Sequence, residues 1–400
     1  MLHIYTDMEL KSKVSFENTE VAFAYKSNWA LKKASLLFSS VGNPVLSWLA
    51  TGSVKLGFAL HLPIKGIIKN TVFEVFCGGE NIEESKQTID TMGQYGVSTI
   101  LDYSVEGEET DEAFDTTKNE TIRNIENAKG NSHIPFCVFK PTGIASFHLL
   151  EKIQAGGELT DEEKAAFERV RKRVDDICRT GFEADVPVLI DAEETWIQNP
   201  VDEMVYEMMT KYNREKALIF NTYQMYRVAS LQNLKNAFQN AVRDGYYLGA
   251  KLVRGAYMEK ERERAEQMNY PDPIQPNKQA TDDDYNQALK FCIDNKQRTS
   301  VINCTHNEYS SYYLALLMEK HSMKNDDPRA YFAQLCGMSD NVSFNLAKAG
   351  YNVAKYVPYG PVKSVMPYLL RRADENTSVA GQSSRELTMI KNELKRRRSV

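Results

Sequence analysis

The sequence predicts an α/β fold in which eight parallel strands alternate with helices and close into a (β/α)8 barrel of the TIM type, after a helical N-terminal region. Three observations predict this fold. Short apolar runs of strand length recur from about residue 91, helical patterns separate them, and eight such runs are present. Because regular alternation of strand and helix favours a parallel sheet, and eight such units suit closure, a barrel is the simplest arrangement.

The first 90 residues predict helices and irregular segments, without a strand pattern. Within them, residues 34–54 form a stretch of 21 residues without a charge, which is the length of a membrane span. The Gly42-Asn43-Pro44 tripeptide breaks this stretch and several serines dilute it. A helical hairpin packed on a core is therefore favoured over a transmembrane helix.

The strand runs begin at residue 97 and continue to residue 356. They are residues 97–101, 135–139, 186–190, 217–220, 247–253, 300–304, 331–335 and 352–356. Amphipathic stretches lie between them, and Thr160 with Glu163 has the spacing of a capping box that starts a helix. We therefore expect a helical region at residues 1–90, a barrel domain at residues 91–376 and a basic tail at residues 377–400.

Two charged segments flank the barrel pattern. Residues 106–115 contain six acidic side chains and predict a solvated loop. Residues 385–400 contain six basic and two acidic side chains. This tail is either a frayed, solvated helix or a segment that docks electrostatically on anionic lipid.

Composition and motifs exclude several classes of function. A net charge of -5 is unfavourable for bulk nucleic-acid binding, and 42% apolar residues are ordinary for a globular protein. The six cysteines form no C-x-x-C pair, and the six histidines never stand at the spacing of helical metal ligands, so no metal site is expected. Rossmann, P-loop and nucleophile-elbow motifs are also missing from the sequence.

Polar residues follow the strand runs, at the edge where barrel enzymes carry their chemistry. They are Asp102, Lys140, Asp191, Asn221, Arg254 and His306, and the set is completed by Gly337 after the seventh run and Tyr356 at the end of the eighth. Helix capping and salt bridges account for some of these residues. The convergence of several charges on one rim nevertheless predicts a functional mouth at this end of the barrel.

Three segments near the strand ends suggest ligand contacts, each with a structural alternative. Lys251 and Arg254 either hold an anionic cofactor or are ordinary cations at a strand exit. His306 is either a hydrogen-bonded structural residue or a ligand contact. Arg371 and Arg372 either clamp a carboxylate or compensate a helix end and pair with nearby acids.

Several segments, taken in order, resemble the signature segments of the proline dehydrogenase family, closest to its single-function, mitochondrial-type branch. They are residues 101–106, 190–194, 220–224, 251–257, 305–307, 334–338, 356–361 and 368–376. The resemblance covers about residues 90–376. It implies a distorted (β/α)8 barrel that holds FAD noncovalently. It also implies oxidation of L-proline to Δ1-pyrroline-5-carboxylate, the first step of proline catabolism to glutamate, with electrons passed to a membrane quinone.

The resemblance also assigns roles to individual residues. For the substrate, it implies that the carboxylate is bound by Arg371 and Arg372, and that the pocket is lined by Lys140, Asp191, Leu252, Tyr257 and Tyr356. The catalytic set it implies consists of Lys140, Asp191, Tyr356, Arg371 and Arg372. For FAD, it implies Asn221, Lys251, Val253, Gly255, Thr281, His306, Asn307, Leu335 and Glu375. Two of these positions differ from the bifunctional bacterial branch, which has Gln in place of Asn221 and Arg in place of Lys251.

A quinone acceptor implies peripheral contact with a membrane. The expected location is the inner face of a bacterial membrane, reached from the cytoplasm, or the matrix side of the mitochondrial inner membrane. The expected partner for the product is a separate pyrroline-5-carboxylate dehydrogenase. Three alternatives remain: a hydroxyproline dehydrogenase, which Tyr356 disfavours, a Schiff-base lyase that uses Lys140 or Lys251, and a flavin-binding sensor without turnover.

Overall fold

The computed structural model of the chain describes residues 14–41, 65–104, 109–369 and 382–399. Within these residues, eight parallel strands close into a barrel in chain order, which confirms the predicted fold class. The strands are β1 (Val97–Tyr103), β2 (Phe136–Phe139), β3 (Val188–Ile190), β4 (Ile219–Gln224), β5 (Leu248–Val253), β6 (Thr299–Cys304), β7 (Ala330–Leu335) and β8 (Val353–Tyr359).

The barrel strands are buried along almost their whole length. Every residue of β2, β4 and β8 is buried, because side chains fill the barrel on one face and helices cover the other. Three strands extend further than the sequence pattern predicts. As a result, Asp102 and Asn221 lie inside strands β1 and β4 and not beyond their ends, which corrects their expected position. Tyr356, the last residue of its predicted run, lies in the middle of β8.

Helices alternate with the strands and also form the N- and C-terminal segments. They are α1 (Thr19–Ala22), α2 (Asn28–Val41), α3 (Ile82–Gly93), α4 (Asp111–Ala128), α5 (Phe147–Gln154), α6 (Asp161–Ala184), α7 (Gln198–Tyr212), α8 (Ser230–Asp244), α9 (Met258–Met268), α10 (Lys278–Asp294), α11 (Glu308–Lys320), α12 (Asp340–Lys348) and α13 (Gln382–Arg398). Further helical turns occupy residues 65–76, and residues 362–369 are helical.

The predicted capping box at the start of α6 is confirmed. The Thr160 hydroxyl accepts a hydrogen bond from the Glu163 backbone N–H at 3.2 Å, and the Thr160 N–H donates to the Glu163 carboxylate at 2.7 Å. These two bonds satisfy donors that the first helical turn leaves without partners.

The acidic segment at residues 106–115 is not a loop along its whole length. Residues 105–108 lie outside the described part of the chain, but α4 already begins at Asp111. The Thr110 hydroxyl caps this helix by accepting from the Ala113 N–H at 3.2 Å, and acidic side chains stabilise the positive end of a helix. The buried Arg173 also binds Asp111 at 2.6 Å, so the prediction of a solvated loop is wrong from residue 110 onward.

The chain divides into two compact units. One contains residues 109–333, and the other contains residues 14–104 together with residues 334–399, within the described residues. The predicted division at residues 90 and 376 stays a prediction. Among the described residues, no helix has both the length and the apolar character needed to cross a bilayer. Residues 34–41 belong to α2, and residues 42–64 lie outside the described part.

The second unit has a hydrophobic core that includes the C-terminal helix. Leu31 and Phe38 of α2 and Met389 and Ile390 of α13 are buried in one apolar cluster. The guanidinium of Arg397 donates to two backbone carbonyls of the N-terminal segment, each at 2.8 Å. The interpretation of the tail as a frayed, solvated helix is therefore wrong, because one side of α13 is packed.

Candidate active site

The centre of the candidate site in the first unit is an ion pair at the ends of the strands. Asp191 directly follows β3, and its carboxylate accepts a hydrogen bond from Nζ of Lys251, in β5, at 2.5 Å. The two side chains are only 16% and 6% exposed. An unpaired charge is costly at such a buried position, so the pairing offsets part of the cost of burying each group.

Two further contacts hold the backbone around this pair. The register places Thr222 of β4 directly beside Lys251 of β5. The Thr222 hydroxyl donates to the backbone carbonyl of Ile190 at 2.7 Å, and the Asp191 N–H donates to the carbonyl of Phe139 at 3.1 Å. Phe139 and Ile190 pair in register, so the residues that follow them, Lys140 and Asp191, lie at the same level of the barrel.

Arg254, immediately after β5, is engaged with groups of the protein itself. It donates to the Asp282 carboxylate at 2.7 Å, to the Thr305 hydroxyl at 2.5 Å and to the Ser310 hydroxyl at 3.0 Å. Burial alone would raise the pKa of Asp282, but a hydrogen bond from Lys278 and the charge of Arg254 outweigh burial and lower that pKa. Arg254 therefore joins β5 to α10 and α11, which favours the structural alternative for this residue.

Several predicted cofactor residues lie at the N-terminal ends of two helices that follow β5 and β6. Thr281 is in the first turn of α10, and Asn307 caps α11 by accepting from the Ser310 N–H at 3.0 Å. His306 precedes this cap and is half-buried. Free N–H groups and the helix dipole make such ends suitable for an anion such as a diphosphate.

Gly255 has a backbone conformation that other residues adopt only with strain. Its φ is +135°, and a Cβ at this position would lie 2.5 Å from the Tyr226 ring. The close approach explains why the chain leaves β5 through a glycine. Val253, two residues earlier, is half-buried at the end of the strand, and Tyr257 is half-buried just before α9.

Two predicted ligand contacts, Asn221 and Leu252, face the helices around the barrel, unlike Lys251. The Asn221 amide donates to Asp202 of α7 at 2.9 Å. Leu252 pairs in register with Asn303, whose side chain accepts from the Tyr285 hydroxyl of α10 at 2.7 Å. Because side chains alternate along a strand, these contacts place Asn221 and Leu252 toward the surrounding helices. Their roles as ligand contacts stay predictions.

The second unit contains two other predicted site residues. Tyr356 is buried in β8, where it pairs in register with Ile100 of β1. Leu335 ends β7, and its backbone carbonyl accepts from Nζ of Lys355 at 3.3 Å. Arg371, Arg372 and Glu375 lie outside the described residues.

Glu193 is a site residue to which the sequence patterns assigned no role of its own. Its buried carboxylate accepts from the Thr142 N–H at 2.9 Å and from the Thr142 hydroxyl at 2.6 Å. The Gln224 side chain donates to the Glu193 backbone carbonyl at 2.6 Å. Burial raises the pKa of Glu193 to about 7, although both Thr142 hydrogen bonds oppose this shift. Glu193 therefore joins the loops after β2 and β3, which carry Lys140 and Asp191.

The arrangement offers a buried ammonium–carboxylate pair, a carboxyl group that titrates near neutral pH, and donors at two helix ends. Ammonium, imidazole and amide donors suit the carbonyl and diphosphate oxygens of a flavin nucleotide, so these residues fit FAD. Within the described ranges, no group of three or more His, Cys, Asp or Glu side chains is arranged to hold a metal ion.

Comparison with known proteins identifies relatives over most of the chain. The family model described as proline dehydrogenase matches residues 85–385. The carbapenem antibiotics biosynthesis protein CarD of Pectobacterium carotovorum is 34% identical over 333 residues, which cover 83% of this chain and 86% of that protein. Mitochondrial proline dehydrogenase 1 of Dictyostelium discoideum is 33% identical, over 86% of this chain and 67% of that protein.

Other matches span a smaller part of the related protein. Mitochondrial proline dehydrogenase 1 of Homo sapiens is 41% identical over 60% of this chain, but the match covers only 40% of the human protein. The solved structure of proline utilization A from Bdellovibrio bacteriovorus, inactivated by N-propargylglycine, has a TM-score of 0.70 and 20% identity. It covers 91% of this chain and 37% of that one, and at this identity it supports the fold alone.

Proposed function

This chain belongs to the proline dehydrogenase family, and on this premise we propose that it oxidises L-proline to Δ1-pyrroline-5-carboxylate with noncovalently bound FAD. The supporting observation is the buried pair of Lys251 and Asp191 at the strand ends of a closed barrel. The reaction removes a hydride from C5 of the ring and a proton from the ring nitrogen, and a C=N double bond forms. When bound, FAD supplies the two-electron acceptor for this oxidation.

For FAD, we assign ring contacts to Lys251, whose ammonium group is a donor for the acceptor edge of the flavin. Thr281, His306 and Asn307 are assigned to the phosphate-bearing part, because they lie at or near helix N-termini. Val253, Gly255, Leu335 and Glu375 complete the proposed set. Asn221 belongs to it by family resemblance, and direct contact would require its amide to leave Asp202.

For the substrate, we assign the carboxylate to Arg371 and Arg372, because a guanidinium binds a carboxylate through two parallel hydrogen bonds. Asp191 and Lys140 would set the electrostatic environment of the amine, which must lose its proton before or during the oxidation. Tyr257 and Tyr356 complete the proposed pocket, and Leu252 belongs to it by family resemblance alone. Most of the rate enhancement in this chain would come from positioning the ring, because the redox chemistry belongs to the cofactor.

We further propose that the electrons pass to a membrane quinone. Relatives named as mitochondrial proteins support a mitochondrial location, for which we propose the matrix side of the inner membrane. A bacterial relative leaves the inner face of a bacterial membrane as the alternative. A separate pyrroline-5-carboxylate dehydrogenase would consume the product.

The decisive experiment is a visible spectrum of the purified protein before and after addition of L-proline without oxygen. We expect a yellow protein that proline bleaches. A folded protein that retains no flavin would contradict the proposal, and a yellow protein that proline does not bleach would favour a sensor. Trapping of a lysine adduct by borohydride in a colourless protein would favour the Schiff-base lyase.

A comparison of rates on L-proline and trans-4-hydroxyproline tests the substrate within the family. In the hydroxyproline branch a smaller residue usually occupies the position of Tyr356, which leaves room for the ring hydroxyl. Tyr356 is buried and bulky here, so we expect proline to react faster. A preference for hydroxyproline would replace proline as the proposed substrate.

A further inference from the structure

One surface of the second unit carries cations that no described residue neutralises. Half of the eight cations of α2 and α13 have a carboxylate partner: Lys33 pairs with Glu74, Arg385 with Glu17, and Arg396 and Arg397 with Glu393. By contrast, the side chains of Lys32, Lys391, Lys395 and Arg398 form no ion pair with any described residue. These four cations line one surface groove, with Ser35 and Leu394 between them.

The positions of these cations follow from helix geometry. Lys391, Lys395 and Arg398 stand at i, i+4 and i+7 on α13, so they share one side of the helix. The opposite side contains Met389 and Glu393, which are buried. Packing of α13 therefore fixes the direction of the basic side and separates it from the acidic residues of the same helix.

Two large apolar side chains accompany the cations on α2. Trp29 and Leu36 are each 71% exposed, and with Lys32 they stand at i, i+3 and i+7 on one side of that helix. Exposed tryptophan and leucine side chains next to lysine and arginine are typical of protein surfaces that bind at the interface between water and lipid headgroups. We call the set of Trp29, Lys32, Leu36, Lys391, Lys395 and Arg398 the basic surface.

We propose that the basic surface docks the protein on an anionic lipid bilayer, with the cations on lipid phosphates and Trp29 and Leu36 inserted among the headgroups. The inference rests on the proposed transfer of electrons to a membrane quinone and names the surface that brings the enzyme to its acceptor. Charge complementarity favours an anionic bilayer, and the exposed apolar pair favours a lipid surface over free phosphate, nucleic acid or an acidic protein.

The test is cosedimentation of the flavin-loaded protein with vesicles. One set contains phosphatidylcholine alone, and the other contains phosphatidylcholine with an equal amount of phosphatidylglycerol. We expect binding only to the second set, and weaker binding at high salt. The triple variant K391E/K395E/R398E should lose at least about 100-fold in partitioning, and Trp29→Ala about tenfold.

A matched control is the triple variant K129E/K172E/K320E, which makes the same change in net charge at exposed lysines without an ion pair to a described residue. It should partition within about threefold of the unmodified protein, because none of the three lysines belongs to the basic surface and exposed charges more than a Debye length from a membrane are largely screened. Equal losses in the two triple variants would overturn the proposal, as would equal binding by the unmodified protein and K391E/K395E/R398E. Binding to a DNA duplex in preference to the anionic vesicles would also overturn it.

Oxidation of proline with a soluble dye as acceptor separates this proposal from the proposed function. The dye assay should give the same rate for the unmodified protein and all three variants, and it also verifies that each variant is folded. A protein that oxidises proline with the dye but does not bind anionic vesicles contradicts the basic surface alone. A protein that binds the vesicles but never oxidises proline contradicts the proposed function alone.

Discussion

Two groups of buried charges in this chain differ in how completely the protein encloses them. In the first unit, Lys251 and Asp191 form a pair whose carboxylate is 16% exposed. In the second unit, Asp340 is 2% exposed and binds both Lys26 and Lys355, each at 2.8 Å. The carboxylate of the enclosed cluster is almost completely covered, whereas the carboxylate of the strand-end pair retains access to solvent. The comparison teaches that a buried charge becomes a candidate for function only where the protein leaves part of it uncovered.

The enclosed cluster joins elements that are distant along the chain. Besides the two lysines, the Tyr25 hydroxyl donates to Asp340 at 2.9 Å, and Glu386 of α13 accepts from the Ser339 N–H. Burial alone would raise the pKa of Asp340, but the charges of Lys26 and Lys355 outweigh it and hold the pKa well below its usual range. Burial and the nearby Asp340 charge raise the pKa of Glu386 to about 7. The cluster thus holds the N- and C-terminal segments in place.

The largest effect should come from Asp340→Ala. Removing this carboxylate leaves two buried ammonium groups without compensation, so we expect the free energy of unfolding to fall by about 3–5 kcal/mol. Urea denaturation followed by circular dichroism measures the loss. Glu168→Ala, at an exposed carboxylate, should change stability by less than about 0.5 kcal/mol. A similar result for both variants would remove the contrast between enclosed and exposed charges.

Arg371→Met tests the proposed carboxylate clamp. We expect a strong rise in KM for proline, with a loss of about 2–5 kcal/mol in binding, while the flavin stays bound. Steady-state kinetics and the visible spectrum give the two readouts. Lys363→Met, at an exposed cation nearby in sequence, should leave KM unchanged. An unaltered KM in Arg371→Met would exclude Arg371 from the site.

Lys251→Met tests the strand-end pair. The change removes a donor proposed to face the flavin and leaves the Asp191 charge uncompensated, so we expect kcat to fall by about 100-fold. Lys251→Arg keeps the charge and should lose no more than about tenfold. Because Asp191 is partly exposed, we expect Lys251→Met to cost less stability than Asp340→Ala. A larger loss of stability than in that variant would reverse the comparison.

Glu193→Gln should have the smallest effect, and it should depend on pH. The folded-state pKa of about 7 lies above the usual value, so the folded protein binds a proton that the unfolded chain has released. The stability contributed by this proton is complete below about pH 4 and is lost as pH rises toward 7. As pH rises from acidic to slightly alkaline, the free energy of unfolding of the variant should therefore increase by on the order of 1–3 kcal/mol relative to that of the unmodified protein. Urea denaturation of both proteins across this pH range measures the effect. A difference in free energy of unfolding that stays constant with pH would contradict the raised pKa of Glu193.

Much of the fold could be predicted from local patterns. All eight strands were recognised from short apolar runs, and the start of α6 from Thr160 and Glu163, because periodicity and capping depend on residues close together in sequence. The positions of Lys140 and Asp191 after β2 and β3 also followed from those runs. Strand lengths were less predictable, since β4 continues through Asn221 to Gln224 where packing, not the apolar run, sets its end.

The sequence by itself determined the order of strands and helices and which chemical groups stand near the strand ends. The tertiary structure decided which of those groups meet: Arg254 finds Asp282 and Ser310, Glu193 finds Thr142, and Asp340 finds two lysines from distant segments. Whether a charged side chain is neutralised, enclosed or left accessible depends on neighbours brought together by folding. Local patterns carry no information about these neighbours, because the distances that control electrostatic energy are distances in space.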